Sequence, residues 1–198
     1  MTFKFFQIKK ILFLFFFFFS SFSFSDDYKF NNIPNDLMIN LGKEVYFSKS
    51  SDSCAKCHGD ITKESLEGKE IEQSADLQNP YTWVAFKALG GENKKNKNPE
   101  NFNQQFDSVI IELIINGAYD WNREFYKKAT KEYDFNWSRV DGKEQYDSQM
   151  KGIKISIVKN ILKKIDRILR KEGVKVNRKE LENIAAVSVY EFVKNHFK

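Results

Sequence analysis

The chain has two cysteines, Cys54 and Cys57, and His58 directly follows the second. Two thiols three residues apart, with an imidazole beside them, have few chemical uses. One is a disulfide, the default for a cysteine pair in an oxidising compartment. A second is a redox-active C-x-x-C of thioredoxin type, but no βαβ pattern surrounds this one. A third is zinc. The other histidine is His196, and adjacent Cys57 and His58 fit poorly around a tetrahedral ion. The fourth use is covalent haem attachment, whose pattern is C-x-x-C-H, here Cys54-Ala55-Lys56-Cys57-His58. At this spacing each thiol meets one vinyl group of a haem, and the next residue projects its imidazole at the iron. Attachment requires reduced thiols, so a Cys54–Cys57 disulfide is the competing product. Chance spacing is the remaining alternative.

The segment in front of the motif favours haem. Lys4, Lys9 and Lys10 precede an apolar run over 11–19, and 20–25 is rich in serine. Ser23-Phe24-Ser25 resembles a peptidase site before Asp26 and Asp27, so residues 1–25 read as an export signal. The alternative is an uncleaved membrane anchor, although the run is short of the ~20 apolar residues that span a bilayer. Residues 1–25 carry three lysines and no acidic residue. Without them the net charge falls from +5 to +2. That excess makes no case for nucleic-acid binding.

Apolar spacing predicts the elements that position the motif. A helix is expected over 34–47, with Leu37, Met38, Leu41, Val45 and Tyr46 on one side. A short helix over 81–89 should end at Gly90-Gly91, and 92–103 reads as an exposed Asn- and Lys-rich loop. A compact helix over 107–116 should end at Gly117. Residues 118–149 are aromatic and charged without clear periodicity. Val158, Ile161, Leu162, Ile165, Ile168 and Leu169 make the apolar stripe of an amphipathic helix over 156–170, stopped by Gly173. Asn177 should cap a last helix over 178–196. The class is all-α.

With these residues in place, the chain resembles the class I cytochrome c family. Gly42 and Tyr46, within Gly42-Lys43-Glu44-Val45-Tyr46-Phe47, are similar to the glycine and aromatic on that family's first helix. The haem motif follows at short distance, with Gly59 after His58. Ala185-Ala186-Val187-Ser188-Val189-Tyr190 is similar to the final helix, whose aliphatic and aromatic residues cross that glycine. These anchors flank most of residues 26–198, with large departures between them.

The resemblance implies an all-α, cytochrome c-like helical domain over 26–198 around one covalent haem c, enlarged by the inserted amphipathic helix. It implies His58 as proximal iron ligand and a methionine as distal ligand. Met150 is the sole methionine after His58. Lys151 stands where the family has a proline. Met150 as a gap-filling core residue, or His196 as the distal ligand, are the alternatives; Met38 reads as core. Leu77 would line the haem pocket, while the family's proline that orients the histidine has no match directly before it. Trp83, Tyr119, Trp121 and Trp137 are candidates for covering haem edges or for plain packing.

The implied function is one-electron transfer in the periplasm, or from a tether on the inner membrane, without enzymatic activity. The partners would be redox proteins, including membrane-bound ones, with no nucleic acid and no small-molecule substrate. Residues 151–175 hold nine Lys or Arg and two acidic residues. That basic face would dock an acidic redox partner or stand simply solvated. Two other readings stay open: a haem subunit of a larger respiratory or dehydrogenase complex, and a ligand-binding haem sensor or enzyme. The latter needs an open sixth position and a polar distal pocket; the sequence offers no distal His or Arg motif, though Arg123 and Arg139 lie in the unassigned 118–149 region.

Overall fold

A computed structural model describes residues 30–49, 53–63, 74–117, 123–140, 150–153 and 159–198. Residues 1–25 (the expected export signal), Tyr119, Trp121 and Val158 lie outside them, as do the side chains of Arg123 and Trp137. The described residues are mostly helical. Their helices are α1 (Asn35–Tyr46), α2 (Cys54–His58), α3 (Val84–Ala88), α4 (Gly91–Lys97), α5 (Pro99–Asn116), α6 (Arg123–Tyr133), α7 (Lys159–Lys171) and α8 (Arg178–Lys194). Short 3-10 turns lie at Pro80–Thr82 and Trp137–Arg139. Among the described residues no helix is long and apolar enough to cross a membrane.

The core is organised by the crossing of α1 and α8. A Cβ at Gly42 would stand 1.9 Å from the backbone oxygen of Ser188, so only hydrogen fits there. The backbones of α1 and α8 therefore touch at this point. Tyr46 and Tyr190 are both buried beside the crossing, and the Tyr46 ring lies 5.5 Å from that of Phe192. Helix α8 begins at a capping box, in which Asn177 and Glu180 satisfy each other's backbone N–H. It also packs on α5 and α7. Asp107 of α5 accepts from the Tyr190 hydroxyl at 2.6 Å and from Lys194 at 3.2 Å.

Helix α7 buries Ile165 and Leu169, half-buries Ile161, Leu162 and Ile168, and ends at Gly173 with φ +78°. Lys164 pairs with Glu44 of α1. The outward face carries Lys163, Arg167, Arg170 and Lys171, all exposed, and Arg170 pairs with Asp166 at 2.9 Å.

One expectation is corrected. Residues 92–103 are helical apart from Asn98, not a loop. The Asn98 side chain accepts from the Asn101 N–H and Pro99 opens α5, so that helix starts eight residues before Asp107. Phe102 and Phe106 bind its first turns to the core, stacked with centroids 6.1 Å apart and packed against Phe86. Burying side chains of this size is worth about 2–3 kcal/mol each, enough to override a polar local sequence. Residues 123–133 also form a helix. Ala129 and Tyr133 face the core, and Lys128 pairs with the buried Glu112 of α5.

Candidate functional site

Helix α2 is a single short helix of five residues, so it needs outside support. Ser53 caps it, its hydroxyl accepting from the Lys56 N–H at 3.3 Å. At its other end the buried Tyr46 hydroxyl donates to the Gly59 carbonyl at 2.8 Å. Burial, then the nearby Cys54, Asp60 and Cys57, push that hydroxyl above its ordinary pKa, so it stays a neutral donor. The helix bearing the motif is thus tied to the α1–α8 crossing.

Cys54, Cys57 and His58 share this helix, and all three are half-buried. The cysteines are thiols rather than a disulfide. Desolvation, with the neighbouring Cys57 adding, pushes the Cys54 thiol up to about 12, while a backbone hydrogen bond pulls the other way. A protonated thiol is a poor nucleophile, which slows closure of the competing disulfide.

His58 is held from the following loop. Its Nδ1 lies 3.1 Å from the carbonyl oxygen of Ala75. A carbonyl only accepts, so Nδ1 carries the proton and the lone pair falls on Nε2. That is the tautomer of an imidazole that ligates a metal through Nε2. Ser74 donates from its hydroxyl to the Cys57 carbonyl at 2.6 Å, binding the same loop to the motif. Leu77 is half-buried against the core two residues after Ala75. The acceptor that holds the His58 ring is thus the Ala75 carbonyl. No residue type marks it, because every residue has a carbonyl.

A haem fits the residues of this helix. They offer two reduced thiols and an imidazole whose tautomer leaves Nε2 as the donor. A closed metal site does not form: among the described residues no three His, Cys, Asp or Glu side chains are grouped to hold an ion.

Met150 stands on a separate support. It is half-buried and opens the segment 150–153, where Lys151 makes an antiparallel bridge with Gly117. Gly117 ends α5 with φ +75°. A Cβ there would lie 2.3 Å from the Gly152 nitrogen and 2.6 Å from the Met150 oxygen. A Cβ at Gly152 would lie 2.2 Å from the Gly117 nitrogen. The two glycines let the backbones meet, and Met150 is carried on that contact.

The other candidates within the described residues make the following contacts. Met38 is buried in the core. Trp83 is buried, donating from Nε1 to the Asp76 carbonyl at 2.6 Å. His196 lies just past α8, with Nδ1 2.8 Å from the Phe192 carbonyl and its ring against Phe192. Arg139 donates to the carbonyls of Ala88 and Asp134 and to the Asp134 carboxylate at 3.1 Å.

No family model, curated protein or solved structure matches the chain.

Proposed function

We propose that this protein is a one-electron carrier of the cytochrome c type, with one haem held covalently by Cys54 and Cys57. His58 would be the proximal iron ligand through Nε2, and Met150 the distal ligand. Bound haem supplies an iron that cycles between two oxidation states. The remaining tasks belong to the chain. The two thiols anchor the group, and the Ala75 carbonyl fixes the tautomer and aim of the imidazole. Leu77 offers an apolar wall, and the Met150 thioether is a soft donor suited to iron in both states. The basic outer face of α7 would steer an acidic redox partner in the periplasm.

The observation that carries the reading is the His58–Ala75 bond, which aims an imidazole directly beside the two cysteines on one short helix. A disulfide has no need of an oriented imidazole. Mass spectrometry of protein matured with haem-ligation machinery should find one haem that survives denaturation and acid extraction. Apoprotein alone under those conditions would overturn the proposal.

A further inference from the structure

We infer that Gln78 is a positioning residue for His58, and that the C-terminal end of the chain completes the device through it. The inference rests on the haem reading and adds a residue that touches neither thiol nor imidazole. It starts from a weakness. The bond between His58 and Ala75 is exposed, and Ala75 itself is exposed. Water competes for such a bond, so it holds the ring only if the loop cannot move.

Gln78 immobilises that loop. Its side chain is buried, and a buried amide is costly unless its hydrogens find acceptors. Nε2 donates to the Ile61 carbonyl at 2.9 Å and to the Lys63 carbonyl at 2.8 Å. One side chain thereby staples the segment leaving the haem motif to the loop that returns to it. The backbone of Gln78 is committed as well. Its N–H donates to Asp76 Oδ1 at 2.9 Å, and its carbonyl accepts from the Lys198 N–H at 2.9 Å. The Asp76 carbonyl takes the Trp83 indole N–H, and Phe197 packs on the Trp83 ring with centroids 5.6 Å apart. Ala75 therefore lies between two fixed points, Ser74 on Cys57 and the Asp76–Gln78 turn.

The consequence concerns the imidazole's donor strength. A firmly held Nδ1–H makes Nε2 more basic, and a more basic axial nitrogen favours oxidised iron. Gln78 thus lowers the reduction potential from a distance.

The test uses the full chain, matured with haem-ligation machinery. Gln78→Leu removes both side-chain donors at similar volume. Val109→Ala, a core truncation on α5 that removes no hydrogen bond, serves as a control for lost stability alone. Two readouts are followed: exchange of the His58 Nδ1 proton by nitrogen-15 NMR, and the reduction potential. Gln78→Leu should exchange that proton about tenfold faster, as a local opening would, and raise the potential, while Val109→Ala changes neither. If Gln78→Leu does not accumulate, Trp83→Phe, which gives up the bond to Asp76, should move both readouts the same way by less. Behaviour matching Val109→Ala in both readouts overturns the inference. The exchange readout does not need the haem. Faster exchange in a chain without covalent haem would sink the haem reading and leave the positioning role standing.

Discussion

The two candidate axial ligands are held in opposite ways. His58 is aimed by side chains and a loop: Ser74, Gln78 and Trp83 each donate to a carbonyl in or beside that loop. Met150 is carried by backbone against backbone, where Gly117 and Gly152 leave no room for even a methyl group. Hydrogen bonds can be lost one at a time, each at a net cost near 1 kcal/mol. A close approach between backbones is all or none. The His58 side should therefore yield in small steps and the Met150 side at once.

The strongest way to break this contrast is Gly152→Ala. The added methyl would overlap Asn116, Ile115 and Gly117, so the segment must leave its place at a cost of about 3 kcal/mol. The weak sulfur-to-iron charge-transfer band of the oxidised form should vanish while the haem stays bound through its thioethers. A band that persists would mean that Met150 does not depend on this contact. Met150→Ala comes next, at about 1–2 kcal/mol for a half-buried methionine. The fold should survive, the potential should fall, and carbon monoxide should bind readily. If the parent protein already lacks the sulfur band and binds carbon monoxide, Met150 merely packs, and a sensor or enzyme becomes the better reading. Ser74→Ala should be mildest, near 1 kcal/mol in denaturant unfolding for one lost hydrogen bond to Cys57. A loss as large as that of Gly152→Ala would abolish the contrast.

What was legible in the sequence follows the same division. Motifs written in side chains can be read: the Cys54–His58 run, Asn177 ahead of the last helix, and Gly42 with the aliphatic and aromatic residues of the last helix. Helices α4 and α5 were misread over 92–103 because polar Asn and Lys hide the two phenylalanines that tertiary packing uses. The periodicity of α6 was obscured by charged residues, although Ala129 and Tyr133 stand one helical turn apart. The support of His58 was invisible because its acceptor is a backbone carbonyl. Gln78 and Gly152 drew no notice, since a glutamine in a polar loop and a glycine in a short link acquire meaning only from what faces them. That Gly152 faces Gly117 depends on a pairing across 35 positions, which no local pattern records.

The Gly42–Ser188 crossing also has a consequence for the order of events in the cell. It joins residues 146 positions apart, and such distant pairings form slowly. Helix α1 emerges early but has no stable seat until α8 has emerged. During that interval the Cys54–His58 segment has lost nothing by waiting: its Tyr46 anchor is not yet buried, and its thiols are open to any enzyme that must reach them. On the haem reading, that delay would leave time for attachment at the motif before α8 closes over its support.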